Sequence, residues 1–446
     1  MSQEKYIAAI EIGSSKITVA IGRAGSGGRL SIVAVEQEHM VECVCHGVIH
    51  NVEETAAIVN RLIARIERRT GVAPRKLKYA YVGLAGRSLR NVPREVARNL
   101  PEDTEITEEI LNNLQSDALH SHIDSSLEVI EAVPATYHVN KVETRSAIGT
   151  FGSSIRVHYQ LIAARPLLRK HLERVVRDKV GVSIAGLVVT PLAVADLILS
   201  PEEKRLGCML VDLGAETTTV AIYRGGGLRY LAVLPMGGRN ITTDITTLNV
   251  LEERAEEIKT TSGCAIAGDN PSSLNLDGVK LSDVSNLVVA RAEEIVANII
   301  EQVNYAGIQD MQLPGGIITI GGGFNLNRLT ELLKRKSNLP VRRGALPSSV
   351  TVEDTKAPTY EIIEVAAIMN AGNKITAPDC LEIPVKEELP VGDYVEEEAD
   401  EEEKPRKRRR DDEGRKRSTF FSNLSGKLAS WWGDTSDDDD DDSEFN

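Results

Sequence analysis

Two acid-x-glycine motifs are the residues in this sequence best suited to chemistry. Glu11 and Asp212 each lie two residues before a glycine, and the segments 11–25 and 212–226 align without a gap. Each segment follows an apolar run and continues into a β-rich stretch. A glycine turn lets backbone N–H groups approach the oxygens of a polyphosphate, because no side chain intervenes. One such hairpin is common, but the pair predicts a duplicated domain with a phosphate-binding cleft between its halves.

The two acids also predict a cation in that cleft. Glu11 and Asp212 would lie beside the bound phosphates, and like charges can stay so close only with a cation to neutralise them. Hydrated Mg²⁺ is the ion best suited to carboxylates beside phosphate oxygens. Lys16 would add further positive charge, or it is simply an exposed strand lysine, and the sequence leaves both interpretations open.

A third glycine-rich element lies at residues 315–325. Its apolar residues predict a buried strand that ends at Gly321, Gly322 and Gly323, and the leucine spacing that follows predicts a helix. A glycine-rich turn from strand to helix places helix N–H groups and a flat backbone beside a ligand. Taken alone the motif is weak, since such glycines also occur in ordinary loops.

The composition indicates elements that could hold these motifs. The chain has 446 residues, 41% of them hydrophobic and only 4% aromatic, which favours a multi-domain α/β protein with an aliphatic core. Its five cysteines are scattered and odd in number, so neither a disulfide framework nor a paired zinc motif is expected. The first residues do not form a signal peptide, and no apolar run reaches the roughly 20 residues of a membrane span. Any membrane contact is therefore expected to be peripheral.

The order of the three glycine elements resembles the actin, Hsp70 and sugar-kinase superfamily of ATP-binding proteins. Within it the folded body is similar to the FtsA family of bacterial cell division proteins, through segments 10–13, 211–214, 236–245 and 255–259. The resemblance implies an actin-like, ribonuclease H-like duplicated α/β fold that binds ATP and Mg²⁺, the ion reached through water from Glu11 and Asp212. It also implies that Glu256 and Lys259 hold the ribose and adenine side of ATP. A Glu/Lys pair three residues apart on a helix is, however, most often a surface ion pair. The nucleotide-binding residues expected in this way are Gly13, Ser14, Ser15, Lys16, Gly214, Ala215, Glu216, Thr217, Glu256, Lys259, Gly321, Gly322, Gly323 and Asn325.

The resemblance also implies a domain organisation. Subdomain 1A is expected at 1–82, 162–196 and 355–372, an inserted α+β subdomain 1C at 83–161, subdomain 2A at 197–236 and 307–354, and subdomain 2B at 237–306. A charged, disordered linker at 373–417, an amphipathic helix at 418–433 and an acidic tail at 434–446 complete the chain. Subdomain 1C is where the family makes subunit contacts, which implies filaments.

Thr190 stands where catalytic members of the superfamily have a glutamine or glutamate that orients the attacking water. A short hydroxyl is a poorer water-positioning group, so slow hydrolysis at best is expected, and no catalytic residue is assigned. ATP is then mainly a ligand for conformation and assembly.

The end of the chain has the pattern of a membrane anchor. Both tryptophans of the chain and two of its five phenylalanines fall within 418–433, where the large apolar residues share one helical face opposite polar ones. Basic clusters just before this segment suit anionic lipid, and docking of the helix on protein is the alternative. The expected membrane-binding residues are Phe420, Phe421, Leu424, Lys427, Leu428, Trp431 and Trp432.

The resemblance implies a division protein that polymerises and ties the tubulin-like polymer FtsZ to the membrane. Subdomain 2B would bind the FtsZ C-terminal peptide, other division proteins would be recruited later, and no nucleic acid is expected. The protein would lie at midcell on the cytoplasmic side of the inner membrane. A pilus-assembly relative of FtsA is one alternative, and a sugar-kinase-branch enzyme, which needs a base and a carbohydrate cleft, is another. The charged segments after residue 372 leave no room for the peptide-binding domain of an Hsp70.

Overall fold

The computed structural model describes residues 5–383, except 26–27, 41, 145, 269–274, 277, 309–311, 354–356 and 376–377. In chain order the strands are β1 (Lys5–Ile12), β2 (Lys16–Ala24), β3 (Leu30–His39), β4 (Val44–Cys45), β5 (Val48–Ile49), β6 (Lys76–Leu77), β7 (Tyr79–Leu84), β8 (Arg90–Glu105), β9 (Glu128–Val139), β10 (Val142–Thr144), β11 (Phe151–Ala164), β12 (Ser183–Val189), β13 (Cys208–Leu213), β14 (Thr218–Arg224), β15 (Gly227–Leu234), β16 (Asn275–Leu276), β17 (Val279–Lys280), β18 (Ile317–Ile320), β19 (Val341–Arg343), β20 (Val350–Val352) and β21 (Leu381–Glu382). The helices are α1 (Val52–Ile66), α2 (Glu108–Leu119), α3 (Pro166–Glu173), α4 (Thr190–Ile198), α5 (Pro201–Leu206), α6 (Gly238–Thr246), α7 (Glu252–Ser262), α8 (Leu281–Tyr305), α9 (Leu329–Ser337) and α10 (Ile363–Asn373).

Two sheets repeat one topology. In the first, β3, β2 and β1 are antiparallel neighbours, and β7 and β12 follow in parallel. In the second, β15, β14 and β13 are antiparallel neighbours, and β18 and β19 follow in parallel. The shared order and directions confirm the duplicated α/β fold that the sequence repeat predicts.

Helix α10 packs against the first sheet and against α4. Its residues are apolar on almost every side, and nearly all of them are buried. A helix with apolar residues all round must be covered on all sides. The position of α10 over β1 therefore brings its first turn close to the end of β1, where the first acid-x-glycine motif begins.

The segment from β8 to β11 forms an α+β unit at one end of the second sheet. Strands β10, β9, β11 and β8 extend the second sheet beyond β15, to which β8 is joined by one residue pair, Ala232 with Arg90. Helix α2 covers these strands around a small core of its own that includes Ile106, Leu114 and Val157. Thr107 caps helix α2 by accepting a hydrogen bond from the Ile110 N–H.

Ordered structure continues past Gly372, where the sequence pattern ended the folded body. Strand β21 pairs with β6, and the Cys380 N–H donates to the Tyr6 carbonyl at 3.0 Å. Cys380 is buried, so the expected linker cannot begin before this strand. The sequence does not predict this short strand, because two residues are too few for any periodic pattern.

Candidate functional site

A single large cleft is lined by all three glycine elements. Its volume is about 1040 Å³, enough for a nucleoside triphosphate. The first acid-x-glycine turn joins β1 to β2, and the Gly13 N–H donates to the Lys16 carbonyl at 3.0 Å. The second joins β13 to β14, and the Gly214 N–H donates to the Thr217 carbonyl at 2.9 Å. The repeat therefore extends from the sequence to the hydrogen bonds of the two turns.

Three carboxylates converge on the cleft between these turns. Glu11 is only 9% exposed, and Asp212 and Glu364 line the same cleft. Burial raises the pKa of Glu11 and of Asp212 well above their usual values, and the charge of Glu364 raises each pKa further. Asp212 Oδ1 is buried and has no hydrogen-bond partner among the described residues. These oxygens therefore fit a divalent cation, which would supply the missing positive charge.

The third glycine element needs glycine for a geometric reason. Gly321 follows β18 with φ +88°, and a Cβ there would lie 2.4 Å from the Leu213 carbonyl oxygen and 2.5 Å from Asp212 Oδ1. Positive φ and this close approach both exclude other residues. Gly321 thus allows the third element to lie directly against the second acid-x-glycine turn.

Glu256 and Lys259 also line the cleft and form a partly buried cluster there. Lys259 Nζ lies 2.6 Å from Glu256 Oε2, 2.9 Å from Thr242 Oγ1 and 3.1 Å from the Gly238 carbonyl oxygen. Burial lowers the pKa of Lys259, although Glu256 acts in the opposite direction. The lysine side chain is 13% exposed, so this is no freely solvated surface pair.

Lys16 also lines the cleft, but it already has a partner. Its Nζ donates to the Glu361 carbonyl at 2.9 Å and lies 3.4 Å from Glu361 Oε2. The lysine side chain is 16% exposed, so it is not an exposed strand lysine. It can turn toward an anion only by giving up these bonds or sharing them.

The structure brings together most of the residues expected at the site. Those lining the cleft are Glu11, Gly13, Ser14, Ser15, Lys16, Asp212, Gly214, Ala215, Thr217, Glu256, Lys259, Gly321, Gly322, Gly323 and Asn325. Glu216 is not among them, because its carboxylate accepts hydrogen bonds from the His46 N–H and from Arg239. Its contact with nucleotide stays a prediction.

Several cleft residues were not found from the sequence. Glu361 comes from the turn before α10, Glu364 from the first turn of α10, and Gly47 from the β4–β5 hairpin. Arg239 belongs to the segment 236–245 that carried the family resemblance, but no role was assigned to it. No local pattern marks the two glutamates, since only the packing of α10 brings them to the cleft.

Thr190 is the first residue of α4 and does not line the cleft. It is 4% exposed, and its buried Oγ1 has no hydrogen-bond partner among the described residues. This hydroxyl lies 2.8 Å from the point where a Cβ on Gly83 would stand, so it faces β7. Slow hydrolysis stays a prediction.

The seven expected membrane-binding residues, from Phe420 to Trp432, lie outside the described residues. In the part of the chain that is described, no helix combines the length and the apolar character needed to cross a bilayer.

The comparisons by sequence return the same family. The family model described as "Cell division protein FtsA" matches residues 209–362. Cell division protein FtsA of Porphyromonas gingivalis is 28% identical over 419 residues, which cover 87% of this chain and 85% of that protein. The Pseudomonas aeruginosa protein of the same name is 27% identical over 362 residues, which cover 78% of this chain and 84% of that protein.

The fold also has a solved counterpart. A structure titled "PilM-PilN type IV pilus biogenesis complex" superposes with a TM-score of 0.60 at 17% identity, and covers 83% of this chain and 99% of that one. At this identity the similarity concerns the fold alone.

Proposed function

Since this chain belongs to the FtsA family of cell division proteins, we propose that it binds Mg·ATP in its cleft and ties a division polymer to the membrane. The observation that carries the nucleotide proposal is the meeting of three glycine elements and three carboxylates around one cavity. Backbone N–H groups of the turns after Glu11 and Asp212 would hold the phosphates. Glu256 and Lys259 would contact the ribose and adenine side.

The magnesium ion would be held near Glu11 and Asp212, through water. It would supply positive charge between these carboxylates and the phosphates. Isothermal titration calorimetry tests this step. ATP is expected to bind in the presence of Mg²⁺ and to bind at least tenfold more weakly in EDTA, and Asp212→Asn should remove most of that difference. Equal affinity with and without Mg²⁺ would contradict the assigned ion site.

The membrane step rests on the predicted helix at 418–433. Its tryptophans and phenylalanines suit the headgroup boundary, and each nearby basic residue adds about 1 kcal/mol of attraction to anionic lipid. The protein would thus lie on the cytoplasmic face of the inner membrane at midcell, as a peripheral protein. The acidic tail at 434–446 would oppose anionic lipid and limit this affinity.

Co-sedimentation with anionic liposomes tests the tether. The intact chain is expected to pellet, whereas a chain ending at Arg417 should stay in the supernatant. A Trp431→Ala/Trp432→Ala variant should behave like the truncated chain, and Ser430→Ala, on the polar face, should behave like the intact one. If the truncated chain pelleted equally well, the membrane proposal would be wrong.

The partner steps rest on family membership. Residues 237–306 would bind the C-terminal peptide of FtsZ, the unit formed by residues 83–161 would join subunits into filaments, and later division proteins would follow. Fluorescence anisotropy with the labelled FtsZ peptide tests the first step. Saturable binding is expected, with competition from unlabelled peptide but not from a scrambled one. No binding would remove FtsZ from the proposal.

A further inference from the structure

The β4–β5 hairpin reaches from the first half to both acid-x-glycine turns. His46 and Gly47 form its tip, with φ of 48° and 71°, as in a tight hairpin turn of left-handed residues. The His46 N–H donates to Glu216 Oε2 at 2.6 Å, and the Gly47 N–H donates to Ser14 Oγ at 2.9 Å. These bonds hold the tip between the two halves, next to the cleft.

Three side chains with metal-binding atoms meet at this tip. Cys45, His46 and Glu216 each offer one ligand atom, and the three atoms all lie within 4.8 Å of one another. All three residues are half-buried. A thiol, an imidazole and a carboxylate together are a ligand set typical of Zn²⁺, and they differ from the all-oxygen set that suits Mg²⁺.

One nitrogen of the His46 ring is held by the backbone. His46 Nδ1 lies 3.0 Å from the Glu216 carbonyl oxygen. A carbonyl oxygen can only accept, so Nδ1 donates, and in the neutral ring Nε2 then carries the lone pair. Backbone carbonyls commonly hold zinc-binding histidines in this way, through the nitrogen that does not bind the metal.

The other two groups can bind a metal once the Cys45 thiol gives up its proton and its hydrogen bond to Glu216. Glu216 accepts hydrogen bonds from the His46 N–H and from Arg239, but each carboxylate oxygen has a second lone pair. Burial raises the pKa of the Cys45 thiol, and the nearby charge of Glu216 raises it further. A bound metal would replace that thiol proton, which goes to solvent, and two negative ligands would then balance Zn²⁺.

We propose that Cys45, His46 and Glu216 form a three-ligand site for a transition-metal dication, with Zn²⁺ as the best fit and water as the fourth ligand. Cys45 and His46 come from the first half and Glu216 from the second, about 170 residues away in sequence. The ion would therefore join the two halves directly beside the phosphate turns. It is a second ion, separate from magnesium at Glu11 and Asp212.

Cobalt substitution of the full-length, reduced and untagged chain, without nucleotide, tests the site. One equivalent of Co²⁺ should give a thiolate-to-cobalt absorption band and the visible bands of a tetrahedral ion, and Zn²⁺ should abolish both. Cys45→Ser should lose the thiolate band and bind Zn²⁺ at least tenfold more weakly in competition with a chromophoric chelator. Cys264→Ser, at a buried cysteine of the second half whose thiol bonds the Ile266 carbonyl, should bind like the unaltered chain.

A second variant separates loss of the ligand from loss of folding. His46→Asn keeps a residue that tolerates the left-handed turn, but it removes the ring nitrogen. Zn²⁺ should raise the midpoint of thermal unfolding of the unaltered chain and of Cys264→Ser, but not of His46→Asn or Cys45→Ser. A cobalt spectrum without a thiolate band, or unchanged zinc affinity in Cys45→Ser, would overturn the proposal. Because no nucleotide is present, neither result depends on ATP binding.

Discussion

Replacing Gly321 by alanine tests whether the third glycine element must lie against the second acid-x-glycine turn. The new methyl would stand 2.4 Å from the Leu213 carbonyl oxygen, about 1 Å closer than ordinary contact, and the backbone has φ +88°. Backbone atoms cannot rotate away as a side chain can. A non-glycine residue in a strained conformation costs about 1–3 kcal/mol, and overpacking adds a similar amount.

We expect Gly321→Ala to destabilise the nucleotide-free protein by at least about 2 kcal/mol. Part of the strain is relieved if the turn after Asp212 moves outward, and ATP binding would have to reverse that movement. A difference of about 2 kcal/mol corresponds to roughly thirtyfold weaker binding. Calorimetry measures both quantities, as the midpoint of thermal unfolding and as the ATP dissociation constant.

Gly322→Ala is the matched control for stability. A Cβ at Gly322 meets no atom within 4 Å, and φ is not positive there. Its thermal midpoint should equal that of the unaltered chain. Its methyl group points into open space at the cleft wall, so any change in its ATP affinity would report contact with the nucleotide. If both alanine variants unfolded at the same temperature as the unaltered chain, the tight approach of Gly321 to Leu213 would be refuted.

Three further predictions concern Asp212, Thr190 and Lys259. The pKa values of Glu11 and Asp212 are raised, so the stability they contribute is present at acidic pH and is lost as pH rises through the folded-state values. Asp212→Asn should therefore raise the midpoint of thermal unfolding of the nucleotide-free protein near neutral pH, whereas Asp283→Asn, at an exposed site, should not. Equal midpoints for the two variants would contradict carboxylate repulsion. Thr190→Val removes a buried hydroxyl that has no hydrogen-bond partner among the described residues. The variant should leave any ATP hydrolysis unchanged and stabilise the fold by about 1 kcal/mol. A loss of phosphate release would show that Thr190 takes part in the hydrolysis. Lys259→Gln should weaken ATP binding roughly tenfold in titration calorimetry, because a charged hydrogen bond is lost, and unchanged affinity would exclude the assigned adenine end.

Features that depend on neighbouring residues could be predicted from the amino-acid pattern. The acid-x-glycine repeat predicted two hairpins, and both turns make the same hydrogen bond from glycine N–H to a carbonyl three residues later. Apolar runs predicted the buried strands, because a strand covered on both faces needs apolar residues at successive positions.

Which distant residues meet depends on how the two halves of the protein pack. Glu364 joins Glu11 and Asp212 because α10 packs over β1, and no periodic pattern carries that information. The cysteines gave no zinc spacing in the sequence, yet Cys45 and His46 meet Glu216 once the two halves come together. Sequence patterns record the period of one helix or strand, whereas a site between two halves depends on which loops their packed cores bring into contact.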